Sequence, residues 1–327
     1  MDAQVQTITS RTSLKLLGRL HATDRLLIAF WGLLSLVTLL LHSRIPYWRG
    51  VVAANFAAAV LVAGLAYAAQ GSNSRALRWI HEWSAFLLVV FTYKQLYFII
   101  GPIHHDRNYD QLLIALDHRI FRVNPTEWLA RFSTPFLTEV LQIAYSTFYV
   151  LFLAIGFELY RKNDLSGFRY ARFTMTYGFL LSYIGYLFLP SVGPRFTLHD
   201  FSKIDIELPG LLFTPALRWF INIWESIHAG MSNRLALASA QRDVFPSGHT
   251  MMTLVAIALA YRYKLRMRNA MLVLGLLLVI ATVYLRYHYV VDIVAGAFLA
   301  ILCLLTAAGL HQLFKGDPEG GAADCTD

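Results

Sequence analysis

The chain has 327 residues, a net charge of +8, 57% hydrophobic residues and only 15% charged residues. Soluble domains carry roughly 25% charged residues, so this composition argues against an ordinary soluble domain and indicates a bilayer protein. The basic residues cluster at the ends of apolar segments, and this placement makes nucleic-acid binding the weaker account of the charge. The two cysteines, Cys303 and Cys325, disfavour a structural disulfide, because one lies in an apolar segment and the other in the polar tail.

Eight apolar segments are candidates for crossing a membrane, for which about 17–25 residues are needed. In chain order they lie near residues 26–43, 50–70, 83–103, 137–158, 173–192, 247–263, 269–286 and 289–314. They predict an all-α integral membrane protein with about eight transmembrane helices. The first 25 residues are polar and basic, without the apolar core that a cleavable signal peptide needs.

The positions of the basic clusters predict the orientation of these helices. With eight crossings, the basic N-terminus and the clusters near residues 75–78, 161–172 and 262–268 all fall on one side. Positive residues favour the cytoplasmic side, so both termini are expected in the cytoplasm. The segments 104–136 and 193–246 are then extracytoplasmic loops, and each contains a stretch with the pattern of a short interfacial helix.

The segment "VFPSGHT" (244–250) precedes the sixth apolar segment. Ser247 is a favoured N-cap residue, and Gly248 lets another group approach the backbone. The first turn of a helix has unpaired N–H groups that bind phosphate, and His249 stands in that turn. An ordinary helix cap with a solvated histidine explains the same pattern.

A second polar pattern is His288 followed four residues later by Asp292. This spacing puts both side chains on one helix face, where the carboxylate can fix the histidine tautomer and leave the other nitrogen as a nucleophile. An ion pair at the membrane interface is the alternative. Because an acid at the edge of a membrane span is costly, we favour a functional role.

A third pattern consists of the arginines near these motifs. Arg195 in "GPRF" and Arg286 in "YLRYH" can each clamp phosphate oxygens, or can be interfacial arginines that reach toward water. The three patterns lie at the same predicted face of the membrane. Two histidines, an aspartate, an arginine and a helix start suit phosphoryl transfer without a metal, one histidine attacking phosphorus and the other protonating the leaving oxygen.

Three further residues are candidates for a headgroup pocket, each with a plainer alternative. Lys94 interrupts the third apolar segment and can also extend toward the interface. Asp117, in the first outer loop, can instead be a solvated loop residue. Tyr145, in the fourth segment, can simply pack between helices.

The pair "PSGHT" and "YLRYHYVVDIVAG" resembles the type-2 phosphatidic acid phosphatase superfamily. The resemblance implies a six-helix lipid-phosphatase-like core in spans three to eight, residues 83–314. It also implies that His288 is the nucleophile forming a phosphohistidine, that Asp292 orients it, and that His249 is the acid and then the base. The groups that it implies for holding phosphate are Ser247, Gly248 and Arg195.

The chain departs from the family pattern at three positions. Phe188 stands where the first motif has lysine, and Ala281 and Thr282 stand where the third motif has Ser-Arg. With the eight spans and "GPRF", these departures resemble the subgroup of fungal inositol phosphorylceramide synthase, the aureobasidin target. That resemblance implies transfer of a phospho-headgroup to a lipid alcohol.

Together these observations predict a metal-independent membrane lipid phosphatase or phosphotransferase, its site on the extracytoplasmic side, with no cofactor. The partners expected are membrane lipids, as phospholipid donor and possible lipid-alcohol acceptor, and not nucleic acid. A non-catalytic transporter or scaffold on the same fold is the alternative. The predicted regions are a basic N-terminus (1–25), two extra N-terminal transmembrane helices (26–82), the core (83–314) and a disordered cytoplasmic tail (315–327).

Overall fold

The computed structural model describes residues 18–225, 227–228 and 230–315, and every regular element among them is helical. The all-helical prediction is therefore confirmed over this part of the chain. Most of the predicted basic N-terminus and nearly all of the predicted disordered tail lie outside the described residues.

Fifteen α-helices and two 3-10 turns occur in the described residues. The α-helices are α1 (Ala22–Leu40), α2 (Trp48–Gly71), α3 (Arg75–Ile103), α4 (Asp110–Phe121), α5 (Pro125–Leu129), α6 (Pro135–Ser146), α7 (Phe148–Arg161), α8 (Leu165–Phe188), α9 (Pro194–Thr197), α10 (Ile204–Glu207), α11 (Thr214–Trp224), α12 (Asn233–Ser239), α13 (Gly248–Arg262), α14 (Arg268–Tyr284) and α15 (Val290–Lys315). The 3-10 turns are Ala130–Phe132 and Phe201–Lys203. The predicted short helices of the two outer loops correspond to α4 and α11.

Several of these helices are built to cross a membrane. By length and apolar composition, four of the described helices qualify, α1, α2, α3 and α15, and a fifth span results if α6 and α7 are counted together. Helix α14 is apolar but has only 17 residues, and α13 has 15, both short of the roughly 20 that a full crossing takes. The chain is therefore a multi-pass membrane protein, in agreement with its apolar composition.

The fourth predicted span is broken where α6 meets α7, with an angle of 45° between them. The hydroxyl of Ser146 donates to the Gln142 carbonyl at 2.8 Å, and that of Thr147 donates to the Ala144 carbonyl at 2.7 Å. Such hydroxyl-to-carbonyl bonds compete with the helical ladder and bend helices. The bend brings Tyr145 and Phe148, on either side of the break, against one common neighbour described below.

Helix α8 lies at the centre of the bundle and contacts α1, α3, α7, α13 and α15. Its apolar residues, including Phe168, Phe173 and Leu180, belong to the largest buried cluster. Two of its neighbours, α13 and α15, also pack on each other, and the Cβ of any residue larger than glycine at position 296 would lie 2.4 Å from the Ser247 carbonyl. The close approach brings the start of α13 against α15.

A buried polar network joins the starts of α1, α3 and α8. Arg172 is 1% exposed, and all three of its guanidinium nitrogens are bonded: Nε to Thr23, Nη1 to Glu82 and Nη2 to His21 Nδ1 at 3.1 Å. His81 completes the network through a 2.9 Å contact between its Nε2 and Asp24. His21, Asp24 and His81 have the spacing of metal ligands. The same network also contains two cations, since Arg172 and Arg169 both bond to Glu82.

Candidate active site

The start of α13 has the predicted capped geometry. The Ser247 Oγ accepts a hydrogen bond from the Thr250 N–H at 3.2 Å, and the Ser247 N–H donates to the Asp292 carbonyl at 3.0 Å. Gly248 leaves no room for a side chain, because a Cβ there would lie 2.1 Å from the Tyr186 hydroxyl. The start of α13 is therefore in close contact with two neighbouring helices, with α8 through Gly248 and with α15 through Ser247.

The segment between α14 and α15 positions His288 between two partners. Its Nε2 lies 3.4 Å from His249 Nδ1, and its Nδ1 lies 3.4 Å from Asp292 Oδ2. The same Oδ2 accepts the Tyr289 N–H at 2.8 Å, which holds the carboxylate in place. The three predicted catalytic side chains thus form one row, Asp292–His288–His249, although they come from three different elements.

Electrostatics keep His288 in its neutral form. Burial lowers its pKa to about 4, and the nearby Asp243 carboxylate opposes this shift only in part. At neutral pH the imidazole is therefore unprotonated and has a free ring nitrogen. A neutral imidazole is the form that can attack an electrophile.

Two aromatic rings pack against the imidazole of His249. The ring of Tyr145 stacks on it with centroids 4.8 Å apart, and the ring of Phe148 lies at 4.3 Å. Tyr145 in turn stacks on Tyr287 at 4.4 Å. The bend between α6 and α7 therefore positions the His249 ring, and the predicted headgroup residue Tyr145 lies in direct contact with a predicted catalytic histidine.

Arg195 is a buried cation beside these rings. It is 4% exposed, its guanidinium lies 4.7 Å from the centre of the Tyr287 ring, and its Nη2 donates to Glu225. Among the described residues, its Nε and Nη1 have no hydrogen-bond partner. Buried N–H groups are costly when unpaired, and a planar guanidinium with free donors suits phosphate oxygens.

The remaining candidates lie at different distances from this centre. The backbone carbonyl of Arg286 accepts the Arg195 N–H, but the Arg286 guanidinium bonds to Glu207. Lys94 is beside Trp224, with 5.7 Å between its Nζ and the ring centre. The two oxygens of Asp117 accept the N–H groups of residues 290 and 291, both at 2.9 Å, so this carboxylate caps α15.

Sequence reasoning missed four residues that shape the site. Asp110 accepts the Gly193 N–H and the Tyr289 hydroxyl, each at 2.9 Å, and so ties two of the motifs together. Asp110 and Asp117 are seven residues apart, and this two-turn spacing on one helix was an available signal. Tyr287 lies between Arg286 and His288 in a motif that was recognised, but its aromatic side chain was not assigned a role. Glu225 and Asp243 had no local pattern to mark them.

The departures from the family motifs have clear structural environments. Phe188, in place of the family's lysine, is 71% exposed. Ala281 and Thr282, in place of Ser-Arg, are fully buried. These three positions therefore contribute no cation to the site.

These features define an integral-membrane protein with a histidine–histidine–aspartate site and an adjacent buried arginine, an arrangement that suits phosphoryl transfer. The model of the PAP2 superfamily matches residues 111–306, and the chain belongs to that superfamily. The match contains all of the residues predicted for catalysis and phosphate binding. No curated protein and no solved structure matches the chain. Membership indicates phosphoesterase or phosphotransferase activity.

Proposed function

We propose that the protein cleaves a lipid phosphoester through a phosphohistidine on His288 and passes the phospho group to water or to a lipid alcohol. The observation that supports this most directly is the row Asp292–His288–His249. His288 Nδ1 lies 3.4 Å from Asp292 Oδ2, and His288 Nε2 lies 3.4 Å from His249 Nδ1. Arg195, whose buried Nε and Nη1 have no hydrogen-bond partner within the described part of the chain, is the proposed phosphate ligand.

The proposed reaction has two steps. The His288 Nε2 attacks phosphorus, the bond to the leaving oxygen breaks, and that oxygen takes a proton from protonated His249. His249, now neutral, then removes a proton from water or an alcohol, whose oxygen attacks phosphorus and breaks the P–N bond. Asp292 keeps the Nδ1 of His288 protonated and oriented in both steps. No metal or cofactor takes part in this scheme.

We propose that the acceptor is a lipid alcohol, which makes the protein a headgroup transferase similar to inositol phosphorylceramide synthase. A phosphatase, with water as the acceptor, is the second candidate. The support is the loss of two cations of the family pattern, at positions 188 and 282, where this chain has phenylalanine and threonine. A phosphodiester carries less charge than a phosphomonoester, so fewer cations are needed to bind it.

We also propose eight crossings, with the site on the extracytoplasmic side and both termini in the cytoplasm. The support is that the site lies at the end of α8, the start of α13, the end of α14 and the start of α15. Helices that cross a membrane in alternating directions bring these ends to the same face. The basic clusters lie at the opposite ends of these helices, as the positive-inside rule expects for the cytoplasmic face. In this proposal α1 and α2 are additions to a six-helix core.

The catalytic proposal is tested with His288→Ala and His249→Ala in purified, detergent-solubilised protein. We expect losses of roughly 10²–10⁴-fold in release of phosphate or headgroup from lipid phosphoesters. Brief reaction with a lipid phosphoester labelled in its phosphate should give an acid-labile, alkali-stable protein label in the wild type and none in His288→Ala. Substrates with a good leaving group should restore much of the His249→Ala rate, because they need less protonation.

Unchanged turnover in both variants would overturn the catalytic proposal, and so would a strict requirement for a divalent metal. The acceptor is decided by supplying labelled phosphatidic acid or labelled phosphatidylinositol, each with and without ceramide. Free phosphate from the first indicates a phosphatase, and ceramide-dependent headgroup transfer from the second indicates a transferase. A transporter would move these lipids between leaflets with both histidines replaced.

A further inference from the structure

The buried arginine at the proposed phosphate site already has a carboxylate on it. Glu225, which follows α11 in the long outer loop, accepts a hydrogen bond from Arg195 Nη2. The two side chains are only 5% and 13% exposed. Because solvent screens such a pair weakly, Glu225 cancels much of the positive charge that Arg195 offers to a phosphate.

A second carboxylate, Asp243, lies close to the same group. It precedes the start of α13 by a few residues and accepts the Tyr93 hydroxyl at 2.7 Å. Burial and the nearby Glu225 raise the pKa of Asp243, and its charge acts on both His288 and Arg195. The proposed phosphate ligand therefore stands among two carboxylates, with Lys94 as a further cation beside Glu225 and Asp243.

From this arrangement we propose that Glu225 is a specificity-determining residue, which makes the site accept singly charged phosphodiesters and discriminate against doubly charged phosphomonoesters. The proposal rests on the proposed function, in that it takes Arg195 as the phosphate ligand. A phosphomonoester loses its second proton near pH 6, so above that pH it carries about one more negative charge than a diester. That extra charge meets Glu225 and Asp243 in a poorly screened site.

The size of the effect follows from Coulomb's law. One unit charge removed at a few ångströms, in a site of intermediate dielectric, changes the relative binding of the two anions by roughly tenfold to a hundredfold. Glu225→Gln keeps the size and a hydrogen-bond acceptor for Arg195 but removes the charge. It should therefore improve binding of the dianion more than binding of the monoanion.

The test is calorimetric binding of phenyl phosphate and methyl phenyl phosphate to the full-length protein in detergent at pH 8. We expect the wild type to bind the diester more tightly, and Glu225→Gln to shift the ratio at least tenfold toward the monoester. Glu225→Asp, which keeps the charge, should keep the wild-type preference. The matched control is Asp205→Asn, because Asp205 is in the same outer loop but is 79% exposed and bonds to Arg218.

Three results would overturn the inference: tighter binding of the monoester by the wild type, an equal change for both ligands in Glu225→Gln, or the same shift in Asp205→Asn. Binding of neither ligand would also overturn it, because Arg195 would then hold no phosphate. A parallel turnover assay with phosphatidic acid and phosphatidylinositol separates the two proposals. Selective binding without any turnover contradicts the proposed function alone, and turnover with unchanged selectivity contradicts this inference alone.

Discussion

Two buried arginines, Arg172 and Arg195, are almost equally shielded from solvent, at 1% and 4% exposure, but are bonded in opposite ways. All three guanidinium nitrogens of Arg172 have protein partners, whereas two of the three on Arg195 have none among the described residues. A buried polar group normally finds its partners within the protein, so a complete set indicates a structural role.

The same contrast extends to the groups around each arginine. In the network at the starts of α1, α3 and α8, the side chains of Asp24 and Glu82 are bonded to histidine and arginine. In the active site, Asp292 Oδ1 and His288 Nδ1 have no hydrogen bond of good geometry to any residue that the structure describes. Incomplete bonding in a buried cluster is the pattern expected of groups whose remaining partner is the substrate.

Exchanging the two arginines for methionine should therefore have opposite effects. Arg195→Met should lower turnover of lipid phosphoesters by roughly 10²–10³-fold, the usual loss for one charge-stabilising donor. It should cost less stability than Arg172→Met, because Arg195 bonds only to Glu225 among the described side chains, whereas Arg172 bonds to three residues. Arg172→Met should cost about 3–5 kcal/mol of stability, since it leaves Glu82 buried without its main partner, and should leave the turnover of folded protein near normal. Thermal unfolding in detergent and turnover per folded molecule measure the two effects.

If both variants lost the same activity per folded molecule, the two arginines would not differ in function, and the distinction between a catalytic and a structural cluster would fail. A drop in melting temperature for Arg195→Met as large as that for Arg172→Met would do the same. Arg169→Met is a useful control beside Arg172, because its side chain is 44% exposed and also bonds to Glu82.

The pH dependence offers a second way to sharpen the comparison, because each cluster contains a histidine whose pKa burial lowers to about 4, His21 in one and His288 in the other. A histidine that titrates near 6.5 when unfolded binds its proton more readily in the unfolded state. Stability is then lost as the pH falls from about 6.5 to about 4, by up to about 3 kcal/mol for each histidine.

Of these two histidines, only His288 should also determine how the reaction rate depends on pH. Formation of the protein-bound phosphate from a diester, whose charge is constant in this range, should persist to about pH 5 and fall as His288 is protonated near pH 4. His21→Gln should reduce the acid-induced loss of stability without shifting the pH at which formation of the protein-bound phosphate falls. Labelling after a pH jump measures this fall. A fall in labelling near pH 6.5 would contradict a buried, neutral His288.

The smallest expected effect concerns Asp117, which belongs to neither cluster but caps α15 just before Asp292. Asp117→Ala should lower stability by about 1–2 kcal/mol, the usual cost of losing a helix cap, and reduce turnover only modestly. The matched control is Asp106→Ala, an exposed loop aspartate bonded to Arg242. If Asp117→Ala changed substrate preference without changing stability, Asp117 would act on the headgroup instead.

The row of catalytic side chains was predictable because its information is local. Ser247, Gly248 and His249 are consecutive at the start of a helix, and His288 and Asp292 are four residues apart, so short-range spacing was enough to mark each group. The expected shared helix face was wrong, because His288 lies before α15, in the segment that precedes Val290. The position of the Arg286 guanidinium could not be predicted in this way. Its position in the sequence is close to His288, but its partner Glu207 comes from the outer loop and could not be read from spacing.

The features that sequence reasoning missed depend on contacts between distant segments. Glu225 and Asp243 reach the site through a long loop whose path has no periodic signal, and no motif marks either residue. The break in the fourth span was equally hidden, because Ser146 and Thr147 are compatible with a continuous helix until their hydroxyls bond to carbonyls. The number of crossings is also hard to read from the sequence, since α13 and α14 are short, and α13 begins and α14 ends where the chain forms the site.

Asp292 has a further consequence for motion in this bundle. Its carboxylate contacts His288 and the Tyr289 N–H, and its carbonyl accepts the Ser247 N–H, so one residue holds the segments that carry both histidines. Helices α13 and α15 are therefore expected to move as one rigid body, with the separation of the two imidazoles unchanged while the bundle deforms with the bilayer. A bilayer that thins or thickens would then alter how a lipid reaches these rings before it altered the chemistry between them.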